Sequence, residues 1–267
     1  MHPEATGRRL LAVALLVIVS TSCATRRIAL PQDAGTPMPD VATVHAAVSA
    51  ACRGIKTFTG ELALSGRAGD QRLRGRVIAG FDRAGSMRLE GVAPFGPPAF
   101  VLAARPGAAV LLLPRDERVL RHPDARDVLG ALSGVPLAPA DLLAVLTGCV
   151  VPDPKPTAGR LHERGWASID LGEMATVFLQ QTNGAWVVRA ARRAPWEIEY
   201  DQWQNGLPRL VRLRTLDGPA PVDATLAVSQ LETNVDVPAT AFTLEVPANM
   251  AELTLDELRQ AGPLRTR

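Results

Sequence analysis

The stretch FTGELALSGRAGDQRLRGRVIAGF, residues 58–81, decides the fold. Phe58, Gly60, Leu62, Leu64 and Gly66 alternate with Thr59, Glu61, Ser65 and Arg67. After Gly69-Asp70, Leu73, Val77, Ala79 and Phe81 share one face, and Arg72, Arg74 and Arg76 share the other. A period of two with one apolar and one wet face marks strands of an antiparallel sheet. The short polar separator makes the pair a hairpin.

The same alternation runs outward along the chain. SMRLEG at 86–91 continues it, then AFVLAAR and AAVLLL on either side of Pro106-Gly107, then ERVLRH at 117–122. Val110–Leu113 is apolar on both faces and is expected to be covered on both. WASIDL, ATVFLQQ, AWVVRAA, WEIEYDQW, RLVRLRTL and ATLAVSQL resume the pattern after a loop expected at 152–160, and FTLEVP at 242–247 reads as a last strand. From these stretches about eleven strands are expected in the finished sheet, giving a mainly β (α+β) domain built on one large antiparallel sheet.

Helices are expected in four places. Asp40 can cap a helix through about Gly54, in which Val41, Val44, Val48, Ala51 and Ile55 form a stripe. Asp124 opens a helix carrying Val128, Leu129 and Leu132, stopped near Gly134. APADLLAVLTG follows, with Leu142, Leu143 and Leu146 on one face and Gly148 as its stop. Both are short and apolar on one side, so the apolar face of the sheet is their natural partner. Thr254-x-x-Glu257 is a capping box opening a final short helix.

The N-terminus sets location. Arg8 and Arg9 precede the apolar run Leu10–Val19, which is half the roughly 20 residues that a spanning helix needs and suits a secretory signal. Two cleavage readings fit. Ser22-Cys23-Ala24 suits ordinary signal peptidase, whereas Ser20-Thr21-Ser22-Cys23 resembles the bacterial lipoprotein signal, in which the cysteine is acylated. The second is carried forward: residues 1–22 as signal, 23–39 as a proline-bearing lipidated tether, and 40–267 as one domain. Ala24, where lipoproteins kept in the inner membrane commonly carry Asp, points to the outer membrane with the domain facing the periplasm. Cys52 and Cys149 could form a disulfide in such a compartment or stand as two small buried hydrophobes.

Composition excludes much. The formal charge is +2 and aromatics make up 4% of the 267 residues, so neither the charge nor the stacking platform of a nucleic-acid binder is present. His45, His122 and His162 are isolated in sequence, without metal-ligand spacing, and no nucleophile elbow, phosphate loop or dinucleotide fingerprint occurs. Glu197 and Glu199 read as a solvated strand face, as does the row Arg72/Arg74/Arg76, for which lipid phosphate is the less favoured role. No metal, no cofactor and no enzymatic activity are expected. One feature stands apart: VAPFGPPAF at 92–100 places Phe95, between Pro94 and Gly96, at a loop tip where polar residues are usual.

Taken together, the cysteine after the signal, the helix, FTGELALSG, the Pro-Phe-Gly loop, FVLAARPGAAVLLLP, the helical interlude and LPRLVRL resemble the LolA/LolB lipoprotein-carrier superfamily over most of the mature domain. The resemblance implies an incomplete antiparallel barrel with a short helical lid. It also implies an apolar cavity for acyl chains, and a loop bearing an exposed apolar residue, here Phe95, used to place cargo in the membrane. Implied partners are acylated lipoproteins or phospholipid, a periplasmic LolA-like carrier, and the membrane through the lipid anchor, with the protein acting as a monomer. Strand parity selects Leu62, Leu64, Leu73, Val77, Leu89, Leu102, Trp196, Ile198 and Tyr200 as cavity candidates. The alternative is a structural or sensory envelope lipoprotein that uses the same fold, with a filled interior, to bind a protein partner.

Overall fold

A computed structural model describes residues 27–149, 155–172, 175–217, 221–261 and 263–266. The signal segment and Cys23 lie outside them. In chain order the first elements are β1 (Thr36–Pro37), α1 (Val41–Gly54), β2 (Thr57–Ala68), β3 (Gln71–Asp82), β4 (Met87–Val92), β5 (Phe100–Arg105), β6 (Ala108–Leu113) and β7 (Arg118–His122). Two helices follow, α2 (Ala125–Ser133) and α3 (Pro139–Thr147). The second half holds β8 (Ala158–His162), β9 (Trp166–Asp170), β10 (Thr176–Thr182), β11 (Ala185–Arg193), β12 (Trp196–Asp201), β13 (Leu210–Thr215) and β14 (Val222–Thr233). The chain closes with β15 (Ala251–Glu252), α4 (Leu255–Ala261) and β16 (Arg265–Thr266).

The strands form a single open sheet, ordered β1-β8-β9-β10-β11-β12-β13-β14-β2-β3-β4-β5-β6-β7-β15, with β16 added beside β3. All pairings are antiparallel except β15 on β7. Among the described residues sixteen strands replace the expected eleven or so. The excess comes largely from pairings too short to show a period: β1, β15 and β16 have two residues each. β8 begins inside the stretch read as a loop and runs past its end.

The deciding hairpin keeps its expected parity. Phe58, Leu62, Leu73, Val77, Ala79 and Phe81 are buried, while Arg72, Arg74 and Arg76 are exposed. Gly66 is required where β2 crosses β14, because a Cβ there would stand 2.1 Å from the Asp223 carbonyl oxygen. Asn183 and Gly184, at φ 51° and 79°, make the two-residue turn between β10 and β11, a geometry that asparagine and glycine tolerate best.

Two cores lie under the one sheet. The first joins β2–β7 to α2, α3 and α4, with Phe58, Phe81, Phe100 and Leu102 fully buried. The second joins β9–β14 to α1, around Ile169, Ile198, Tyr200 and Val211. Leu64, Leu142 and Leu226 pack against both and mark the seam. The helix signals behave as their chemistry dictates. Asp124 accepts from the Arg126 amide, α2 and α3 end at Gly134 and Gly148 with φ 79° and 73°, and Thr254 and Glu257 bond reciprocally.

Five expectations are corrected. Asp40 precedes α1 without a side-chain cap, and Ala51 is exposed, the α1 stripe being Val41, Val44 and Val48 with Ser49 buried beside it. FTLEVP is not a strand: residues 239–242 form a helical turn whose last residue, Phe242, is buried, and the chain after it is irregular. Two flanking prolines, Pro238 and Pro247, suit this strap better than a ladder. The strap lies over β4 and β5, with Arg88 donating to the Ala241 carbonyl at 3.2 Å, which accounts for Val101 and Ala103 being buried on the outer face as well.

The other two corrections concern the outer face. Glu197 and Glu199 are not solvated: they are 2% and 4% exposed. Arg192 and Arg214 donate to Glu197 at 2.8 and 2.7 Å, and Arg212 lies 3.4 Å from Glu199. Burial pushes the Glu197 carboxyl up, but the hydrogen bonds from Arg192 and Arg214 outweigh it and hold the group below its ordinary value. The cover comes from the stretch read as a free tether. Ile28 donates its amide to Glu199, Leu30 is buried against Phe178 and Ala190, and β1 pairs with β8.

Candidate functional site

The seam between the two cores holds an apolar cavity of about 80 Å³. Its floor is Leu62 and Leu64 from β2, Leu73 and Val77 from β3, Leu89 from β4, and Leu213, Ala224 and Leu226 from β13 and β14. Leu129 and Leu132 of α2, Val135 and Leu137 of the connecting loop, and Leu142 of α3 form the roof, and Leu264 closes one side. Ser133 is the polar member of the lining. Its hydroxyl donates to Leu129 O at 2.8 Å and accepts from Val135 N at 3.2 Å, so the backbone already engages it. Such walls offer no acid, base or nucleophile to a bound molecule and suit hydrocarbon.

The structure brings five of the nine parity-selected residues to this cavity: Leu62, Leu64, Leu73, Val77 and Leu89. Leu102 is fully buried in the first core on the same face, one strand beyond Leu89, its register partner. Trp196, Ile198 and Tyr200 are buried too but belong to the second core, away from this cavity. The roof and closing residues were not singled out from sequence. The 3.6 period of α2 and α3 marks their apolar faces, but nothing local says that they meet β2 and β3.

The roof is held unevenly. Cys149, just past α3, is disulfide-bonded to Cys52 of α1, with Cα atoms 5.4 Å apart. At its other end Asp141 pairs with Arg193 at 2.9 Å. α2 has no covalent tie of its own and rests on Val128, Leu129, Ala131 and Leu132.

The Pro-Phe-Gly loop leaves β4 after Val92. Phe95 is 87% exposed, and Gly96 has φ 74°, which turns the chain at the tip. Arg115, from the turn between β6 and β7, donates to the carbonyls of Phe95 and Pro97. The loop backbone is therefore held while the phenyl ring stands in solvent.

One hydrogen-bonded chain was not visible in sequence. His162 Nδ1 lies 2.9 Å from Asp33 Oδ1, and His162 Nε2 lies 2.9 Å from Ser168 Oγ. The order Ser-His-Asp is that of a nucleophilic triad. Here Ser168 is buried on β9, and the three residues border none of the cavities described in this chain. The chain instead clasps the segment around Asp33 to β8 and β9. His162, isolated in sequence, thus has two partners brought by the fold.

No protein-family model matches this chain, and no curated protein does. Solved structures do resemble it. A LolA superfamily protein from Nitrosomonas europaea has a TM-score of 0.48 at 12% identity, covering 72% of this chain and 91% of its own. A DUF1329 family protein from Desulfovibrio piger scores 0.46 at 10% identity, covering 78% and 98%. LprF from Mycobacterium bovis scores 0.32 at 11% identity, covering 81% and 100%.

Proposed function

We propose that this chain binds the acyl chains of lipoproteins or phospholipid beneath the α2–α3 roof and helps to place them in the outer membrane. It would be tethered there through acylated Cys23 and would act as a monomer without cofactor or catalysis. The observation that carries the reading is the cavity at the seam of two cores, apolar but for the Ser133 hydroxyl, under a roof that is tied covalently at α3 and held by non-covalent contacts at α2. Acyl chains would enter it at about 0.8 kcal/mol per buried CH₂. The Cys52–Cys149 disulfide supports an oxidising, extracytoplasmic compartment. Phe95, held out by its clamped loop, is the contact with the bilayer, where burying a side chain of its size stabilises by about 2–3 kcal/mol. A periplasmic carrier handing over cargo is the partner this role requires.

The described cavity is the closed state. At about 80 Å³ it is well below the roughly 300–1,000 Å³ of ligand pockets. Cargo would therefore have to displace α2. The same small volume favours a second reading, a filled core in an envelope lipoprotein that binds a protein partner. Native mass spectrometry of residues 25–267, purified from cells without detergent, separates the two. A co-purifying acylated peptide or phospholipid supports the carrier. A bare mass that stays unchanged after incubation with a lipopeptide supports the partner-binding protein.

A further inference from the structure

We infer that the outer face of β2 and β3, at the end of the sheet carrying their shared turn, is the surface by which this domain lies on an anionic phospholipid bilayer. The geometry rests on the acylation of Cys23 proposed above. From Arg27 onward the chain is fixed to the sheet. Arg27 pairs with Asp223 of β14, Ile28 bonds Glu199, Leu30 is buried, Asp33 is clasped by His162, and Thr36–Pro37 pair with β8. Residues 24–26 alone separate Cys23 from Arg27. So short a chain spans at most about 14 Å. The leash is short, and it ends at Asp223.

The register then leads straight to a basic patch. Asp223 pairs with Arg67 on β2, and Arg67 pairs with Arg72 on β3. With strands about 5 Å apart, the two arginines lie roughly 5 and 10 Å from the leash. Arg74 follows on the same face, opposite Ser65. All three are exposed, and among the described residues none makes a side-chain hydrogen bond or ion pair. The nearby carboxylates are largely committed: Glu61 to Arg76 at 2.9 Å and Asp223 to Arg27, leaving Asp70 in the turn. Like charges directly opposite on neighbouring strands repel, so the Arg67–Arg72 pair is unfavourable until an anion arrives. Guanidinium groups match phosphate in shape as well as charge. The Phe95 loop leaves β4 after Val92, whose register partner is Arg76, so it rises from the same end of the sheet. One orientation serves both contacts.

The test uses the full acylated chain, distributed between vesicles of phosphatidylcholine and vesicles of one part phosphatidylglycerol to two parts phosphatidylcholine. The anchor contributes equally to both, so the ratio of partition coefficients isolates the headgroup contribution. Near a charged surface each arginine is worth about fivefold. The triple variant Arg67→Gln/Arg72→Gln/Arg74→Gln should lose tenfold or more of the preference for anionic vesicles, with its thermal midpoint unchanged. The corresponding lysine variant should keep most of that preference. A wild-type chain without preference would overturn the inference and assign the patch to an acidic protein partner, and an unchanged ratio in the triple variant would overturn it too. Lipopeptide binding, read on the same samples, separates this claim from the carrier role. An intact ratio without lipopeptide binding supports the surface while removing the cavity reading.

Discussion

Replacing Leu132 by alanine should loosen the protein and tighten its grip on lipid at the same time. Leu132 sits in α2, 1% exposed, and lines the cavity opposite β2 and β3. Truncating a buried leucine removes about 2.7–5 kcal/mol, and the spread depends on how far the site can collapse. Here the new void joins an existing one and the disulfide at α3 restrains the roof, so about 3 kcal/mol is a fair figure. For a domain of this size that lowers the thermal midpoint by roughly 6–12 °C. If acyl binding requires α2 to leave the floor, the lost contact belongs to the closed state. A weakened closed state raises the population of the binding-competent one, and apparent affinity rises with that population. A shift of about 3 kcal/mol permits up to roughly 100-fold tighter binding, less the contacts Leu132 itself makes with the chain. The assay pairs a thermal melt with titration of a fluorescent lipopeptide. Tighter binding with a lower midpoint supports a moving roof. Affinity that falls in step with stability would refute it, because Leu132 would then be ordinary core.

Other outcomes follow from the same geometry. Phe95→Glu should change stability by less than about 0.5 kcal/mol, since the ring is 87% exposed, yet abolish transfer of bound lipopeptide to vesicles; normal transfer would remove the loop from the mechanism. Replacing Cys52 and Cys149 by serine opens a closure of 97 residues, which should cost about 4–5 kcal/mol in the chain-entropy model, seen as a lower denaturant midpoint. Glu197→Ala should cost about 2–3 kcal/mol, less than a fully buried pair because Arg192 and Arg214 are half exposed and can rehydrate. The held-down Glu197 carboxyl contributes stability that is complete above its ordinary value of 4.5 and is lost as pH falls toward its folded value. Glu197→Gln should therefore flatten the acid limb of the stability profile, and an unchanged limb would mean that other carboxylates dominate it.

Several elements were legible because their signals are local. Alternation in 58–81 fixes which face of β2 and β3 is buried, and the glycine stops and the Thr254–Glu257 box mark helix ends wherever the chain folds. The position of Phe95 at a tip follows from the prolines and glycine around it. What covers a strand's outer face is not local. Glu197 and Glu199 alternate as a solvated face would, but Arg192 and Arg214 close over the first, and Arg212 and the returning Ile28 over the second. The irregular strap around Phe242 does the same for β4 and β5. Parity told which side of β12 faces inward but not where along the sheet the cavity opens, so Trp196, Ile198 and Tyr200 fell in the second core instead. The partners of Cys52 and His162 depend on long-range closure, which no spacing encodes.

The most direct measurement is photocrosslinking with a lipopeptide whose palmitoyl chain carries a diazirine near its end, on the full-length protein, with labelled residues mapped by peptide mass spectrometry. If acyl chains bind beneath the roof, adducts will fall on the floor at 62–77 and on the roof at 129–142 and be competed away by unlabelled lipopeptide. Adducts confined to the Phe95 loop and the outer face, with the cavity residues clean, would contradict that binding.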